Sequence, residues 1–248
     1  MSPINREYEK SDRVLMALEN LSKDWPIDPL VRDIHLGLRS DVMDYHLKIN
    51  QVTYHIPYIS ETSDFLVWNC LWPDCHNCCE KQGRLPLTIK DVSAISKHLG
   101  YSDRSEFLKK ETYVTTWKNS TASSQKGSQL ITTLTMLNLK RRETEREEDN
   151  GKPITCRFLD EDGCCSINSS KPGVCWLYPF YSWSQNENNK LSVHASYQLT
   201  GDCPGFFLTK SLEDYIPLLK KYSEIIYSYT MNINSTIREG FARIDITE

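Results

Sequence analysis

The chain has 248 residues, 39% of them hydrophobic and only ten of them glycine, which is enough to bury a core without covalent staples. Its 29 basic and 33 acidic residues leave a net charge of -4, so no nucleic-acid partner is expected and no general attraction to an anionic membrane surface. No stretch approaches the roughly 18 to 20 consecutive apolar residues of a membrane span, and "MSPINREYEKSDR" lacks the apolar run of a secretory signal. The expected compartment is therefore cytoplasmic.

Taken in order, residues 4–22 set Val14, Leu15, Ala17, Leu18 and Leu21 among charges, the pattern of an amphipathic helix. A second helix is expected over about 29–48, with Leu30, Val31, Ile34, Leu36, Leu38, Val42 and Met43 available for packing. "QVTYHIPYISETSDFLVW" mixes β-branched and aromatic residues around Pro57 and reads as extended structure. Thr88 and Asp91 have the spacing of a helix N-cap and its acidic third position, predicting a helix over 89–99 that turns Val92, Ile95 and Leu99 to one face. Asp103 and Glu106 open another near 104–112, carrying Phe107 and Leu108 inward.

"TTWKNSTASSQKGSQ" then reads as a loop, "LITTLTMLNLKR" as a strand, and the charged run 140–152 as a solvated turn without assigned function. "YSWSQNENNKLSVHASYQ" predicts two strands about a polar turn at 185–190. A final helix over about 212–232 repeats Tyr215, Leu218, Leu219, Tyr222, Ile225, Ile226 and Tyr229 at helical spacing. The organisation expected is an N-terminal helical extension over 1–60, a cysteine-cluster metal-binding domain over 61–210 and a C-terminal helix over 211–248 that packs on it. The class is α+β: a small metal-stabilised domain of short strands and helices with helical extensions at both ends.

The chemistry lies in nine cysteines. "CLWPDCHNCCE" places Cys70, Cys75, Cys78 and Cys79 within ten positions, with His76 among them. Cys156, Cys164, Cys165, Cys175 and Cys203 form a looser second group. Disulfides are rare in the expected compartment, and buried inert cysteines occur singly rather than nine at such spacings. Thiolates are soft ligands that select zinc, copper(I) or iron-sulfur clusters, and Cys75 and Cys78 have the two-residue gap of a metal knuckle. Cys78 and Cys79 are neighbours whose side chains diverge, so one of the pair is expected to serve a different centre. The same holds for Cys164 and Cys165.

These stretches resemble the YkgJ-type cysteine-cluster proteins, a zinc- or iron-chelating domain with a CxxCxxCC signature. The resemblance runs over about 68–207 through "CLWPDCHNCCE", "LPLTIKDVSAISKHLGYSDRSEFL", "CRFLDEDGCCSINSSKPGVCWLYPF" and "GDCPGF". It aligns the double-cysteine motif with Cys75, Cys78 and Cys79, and the later family cysteines with Cys156, Cys165, Cys175 and Cys203. The gap from Cys70 to Cys75 is four residues where the family name implies two. Lys171, Pro172 and Trp176 stand where the family often shows an arginine, a proline and an arginine, and Cys164 has no counterpart.

The metal ligands expected are thus Cys70, Cys75, Cys78, Cys79, Cys156, Cys165, Cys175 and Cys203, enough for two four-sulfur sites, with an iron-sulfur cluster or zinc as cofactor. Cys164 is the spare, and His76 an alternative ligand. Trp68, Trp72, Trp176, Leu177, Phe180, Phe206 and Phe207 flank the ligands and would form an apolar sheath. The leading function is a metal-binding protein, with redox or electron transfer as what a cluster would carry. Two alternatives stand beside it. One is a protein lysine methylase resembling the FliB-type flagellin lysine methylases, with a protein as substrate, although no glycine-rich nucleotide motif is present. The other is a structural zinc module that binds a protein partner.

Overall fold

The computed structural model describes residues 28–81, 83–122, 129–141, 154–187, 190–198 and 203–235. Within them the fold is α+β, and the chain falls into two compact units: residues up to Cys78 with Tyr178–Tyr227, and Cys79–Leu177 with the residues from Ser228. The helix expected over 4–22 lies outside the described residues.

The first unit is organised by β2 (Val52–Ile59), whose burial has the two-residue period of a strand. Val52, Tyr54 and Ile56 are buried, while Thr53 and His55 take the other face and are half-buried. β1 (Val42–Ile49) pairs antiparallel with β2 along its full length through a turn in which Asn50 adopts a left-handed conformation, φ 53°, one that asparagine tolerates better than most residues. β2 also pairs with β7 (Lys190–Tyr197) in parallel over Val52–His55, and with β3 (Asp64–Trp68) in antiparallel at Tyr58 and Ile59. β6 (Phe180–Glu187) and β8 (Phe206–Thr209) complete a six-stranded sheet of order β6-β7-β2-β3-β8, with β1 beside β2.

Two expectations are corrected. The helix expected over 29–48 is only Pro29–His35, capped by the Asp28 carboxylate at 2.8 Å from Leu30 N, and Gly37 follows it at φ 62°. The apolar residues beyond that point do not extend a helical stripe: Leu38 and Met43 are exposed, and from Val42 the pairing with β2 overrides local helix propensity. The loop expected from residue 115 is, as far as Ala122, strand β4 (Thr112–Ala122), which pairs through eleven positions with β5 (Gln129–Leu139). Its polar, threonine-rich composition conceals a ladder that only the partner strand supplies. Residues 123–128, the helical end of the extension before 28, and most of the charged run lie outside the described residues.

The last helix is Ile216–Ser235, entered by a single 3-10 turn at Glu213–Tyr215. Its residues to Tyr227 belong to the first unit and the rest to the second. In the first unit Leu219 and Ile226 are fully buried, and the Tyr54 hydroxyl donates to Leu219 O at 2.7 Å. The second unit has its own core of Leu85, Leu87, Val92, Ile95, Phe107, Leu137 and Leu139. There the Thr88 cap is complete: the threonine hydroxyl accepts from Asp91 N at 3.1 Å, and the Asp91 carboxylate accepts from Thr88 N at 2.8 Å. Arg104–Glu111 is the next helix, capped by Asp103, with Phe107 fully buried. No helix among the described residues is long and apolar enough to cross a membrane.

His35 gives the first unit a pH signature. Its ring is buried edge-on to Phe206 at 5.1 Å, Nδ1 has no hydrogen-bond partner, and burial pushes its pKa down to about 4. An unfolded histidine takes up a proton near pH 6.5, so between about pH 6.5 and 4 the unfolded chain binds more protons than the folded one. Stability from this residue is complete above that window and is lost as pH falls through it. The unfolding free energy from urea titration is expected to drop across the window, by at most about 1.4 kcal/mol per pH unit, and His35→Phe should flatten the drop.

Candidate metal centre

The β3 and β8 ladder explains why Cys70 and Cys203 meet although 133 positions separate them. Trp68, the last residue of β3, pairs with Phe206, the first of β8, and Asn69 N donates to Gly205 O at 2.9 Å. Cys70 therefore leaves the sheet where the segment from Cys203 enters it. A turn closed by Asp74 N and Cys75 N on Leu71 O brings the chain back, and the short helix Asn77–Glu80 carries Cys78. Cys70, Cys75, Cys78 and Cys203 line one hollow, walled by Trp68, Leu71, Tyr178 and Pro204.

Trp68 Nε1–H donates to Cys203 Sγ at 3.1 Å. Trp68 is itself held by Tyr215, whose hydroxyl accepts from Trp68 N at 3.1 Å and donates to Trp68 O. Burial pushes the Cys203 thiol up, and this outweighs the hydrogen bonds from Gly205 N and Trp68; Cys75 raises it further. Gly205 is the position the hollow cannot vary. A Cβ there would lie 2.2 Å from Asn69 O and 2.9 Å from Trp68 Nε1.

The second unit gathers four other cysteines. Cys156 N donates to Cys79 O at 2.6 Å, and Cys165 is tied to the same loop by its bridge to Leu159 and by Ser166 N on Phe158 O. Cys175 lies on the short helix Gly173–Leu177, packed with Val174 and Phe158 against the second core. The start of that helix is fixed by Asp91, whose Oδ1 accepts from Gly173 N at 2.9 Å while Oδ2 completes the Thr88 cap. Burial pushes Cys175 far up, and Cys156, Cys79 and Cys165 are near enough to add to the shift; Lys171 opposes it. Burial also raises Cys165, with Cys156 and Cys79 contributing.

None of the nine cysteines is in a disulfide. Of the sequence-predicted residues, Cys70, Cys75, Cys78 and Cys203 thus line the hollow of the first unit, while Cys79, Cys156, Cys165 and Cys175 lie in the second. Cys164 joins neither; it is exposed on a turn where its N–H donates to Asp160 at 2.6 Å. His76 does not line the hollow of the first set. The expected sheath is corrected in part: Trp68, Leu177, Phe180 and Phe206 are buried, whereas Trp72 is 61% exposed and Trp176 and Phe207 are 44% exposed. Phe207 follows Phe206 on a strand and so takes the opposite face. Trp176 instead stacks under Lys171 Nζ at 3.8 Å. Sequence reading missed the roles of Gly205 and of Asp91 at Gly173, because each depends on a contact across the fold.

A mixed helix and strand fold carrying thiol-only clusters free of disulfides is that of a cysteine-rich metal-binding domain. The family model "CxxCxxCC: Putative zinc- or iron-chelating domain" matches residues 69–197. The chain belongs to this family of metal-chelating domains. Neither a curated protein nor a solved structure matches it.

Gly205→Ala tests the hollow. The added methyl must displace Asn69 or Trp68, an overpacking cost of about 1–3 kcal/mol. The expected outcome in chelator-treated protein is a lower melting temperature, red-shifted tryptophan emission and faster alkylation of Cys203, with Cys175 unchanged.

Proposed function

We propose that the domain holds two four-thiolate metal centres, one on Cys70, Cys75, Cys78 and Cys203 and the other on Cys79, Cys156, Cys165 and Cys175. What supports this reading is that Cys70, Cys75, Cys78 and Cys203 line one hollow of the first unit, and that in the second Cys79, Cys156 and Cys165 lie near enough to Cys175 to raise its pKa. The donor chemistry fits. Burial and neighbouring sulfurs favour the protonated form of Cys165, Cys175 and Cys203, and a bound metal ion inverts that balance. N–H groups directed at sulfur, from Trp68 to Cys203 and from Phe158 to Cys156 at 3.4 Å, suit a ligand that carries charge.

Four thiolates close a tetrahedral shell and leave no position for water or substrate. The reading is therefore a centre that folds the domain or passes electrons, not one that activates a nucleophile. Zinc or an iron-sulfur cluster satisfies the donor set, and a cluster would supply electron transfer. Protein purified without air separates the two: a brown preparation with broad visible absorption supports the cluster, and a colourless one with about two zincs per chain supports structural zinc.

The adjacent pair Cys78 and Cys79 gives the sharpest test. Cys78→Ser and Cys79→Ser are each expected to remove one of the two centres, and the double substitution both, as read by metal analysis. Equal metal content in wild type and Cys78→Ser would remove the first centre from the reading. A second prediction concerns pH. With the folded pKa values of Cys165, Cys175 and Cys203 raised above those of the unfolded chain, these thiols contribute stability below the unfolded value and lose it as pH rises. Metal-free protein should thus unfold at lower urea concentration above roughly pH 8.5, whereas loaded protein should not.

A further inference from the structure

The sheet face opposite the first unit's core carries a donor cluster unconnected with any cysteine. Asp44 and His46 are two apart on β1 and so share a face, and His55 on β2 is the direct cross-strand partner of His46. The Asp44 carboxylate Oδ2 lies 2.7 Å from His55 Nδ1 and 3.0 Å from His46 Nε2, and one ligand atom of each residue falls within 4.8 Å of the others. The His55 side chain is 11% exposed, against 38% for Asp44 and 59% for His46. A nearly buried imidazole is thus faced by two groups that reach solvent.

The surroundings of His55 are ordered for a ligand role. Its Nε2 is 3.0 Å from His194 Nδ1, and His194 Nε2 is 3.0 Å from the Ser192 hydroxyl, which donates to Gln185 O at 3.1 Å. Trp183 stacks on His194 at 5.5 Å and lies tilted against His55 at 5.1 Å. A cation on Nδ1 leaves the proton of the neutral ring on Nε2, where it donates to His194. This is the outer hydrogen bond by which metal-bound histidines are usually oriented.

The geometry points to Asp44, His46 and His55 as a binding site for one zinc-class divalent cation, with His194 positioning His55. The inference does not depend on the thiol centres. Two imidazoles and a carboxylate are borderline-to-hard donors, unlike the soft all-sulfur sets. In a tetrahedral site with bonds near 2.0–2.1 Å, ligand atoms stand roughly 3.3 Å apart. The two carboxylate–imidazole distances therefore lengthen by only a few tenths of an ångström, a shift the exposed His46 can accommodate. Three protein ligands leave the fourth position to water.

The test uses the full chain with its native metal content. Zn2+ is titrated against a competing chelator, and Co2+ is used to report the donors. The expected result is one further ion per chain, with a cobalt spectrum of nitrogen and oxygen ligation lacking thiolate charge transfer. His46→Gln and Asp44→Asn, both at solvent-reaching positions, should weaken it roughly tenfold or more while cysteine-bound metal stays constant. No additional ion, an ion with thiolate charge transfer, or unchanged affinity in both variants would overturn the site. Loss of cysteine-bound metal alone bears on the thiol centres and leaves this inference standing.

Discussion

Side chains on successive residues of a helix point about 100° apart, and this constraint governs how the cysteines can be used. Cys78 and Cys79 are consecutive on the Asn77–Glu80 helix, so they cannot comfortably share one ion. The chain resolves the conflict by giving them to different groupings: Cys78 closes the first unit's segment and Cys79 opens the second's. Cys78 then lines the hollow beside the β3 and β8 ladder, and Cys79 lies by the loop of Cys156, whose N–H it accepts. A CC dipeptide is in this sense a branching device, and the proposal of two centres follows from it more directly than from the total number of thiols.

The supports of the two sets differ in kind. In the first, backbone pairing does the work: Trp68 is fixed by Phe206 and Tyr215, and from there its indole N–H reaches Cys203. In the second, a single carboxylate ties two helices, since Asp91 caps Ile89–His98 and also holds the first N–H of the helix bearing Cys175. A capping residue normally contributes about 1 kcal/mol. Here the same side chain also sets where a candidate ligand stands, so its replacement would be felt at the sulfur as well as in the helix.

What could be read from the sequence followed the range of the interactions. Local signals were legible: the Thr88 and Asp91 cap, the strand pair about residues 185–190 and the helical spacing from Leu219 to Ile226 all appear in the fold, whereas the grouping of the cysteines by sequence proximity does not, since Cys203 lies with Cys70, Cys75 and Cys78. Signals that depend on a partner far along the chain were not. The β4 sequence looks like a loop until β5 lies against it, and Gly205 looks ordinary until Asn69 O approaches it. The reading of 29–48 as one helix failed for a related reason. Its apolar residues satisfy a helical template, and nothing local reveals that β2 will claim the segment from Val42.

That one error also hid the histidine cluster. On a helix, residues two apart face different directions, so Asp44 and His46 would not have been considered together. On a strand they share a face, and the register of β1 with β2 then sets His55 opposite His46. The first unit consequently presents two kinds of donor: sulfur gathered at the ends of β3 and β8, and nitrogen with oxygen on the open face of β1 and β2. Softness alone sorts cations between such sets, because thiolate favours zinc or iron in clusters while imidazole with carboxylate also accepts harder divalent ions. A sheet whose strand ends and strand faces carry different donor chemistry can keep two metals apart without separate domains to hold them.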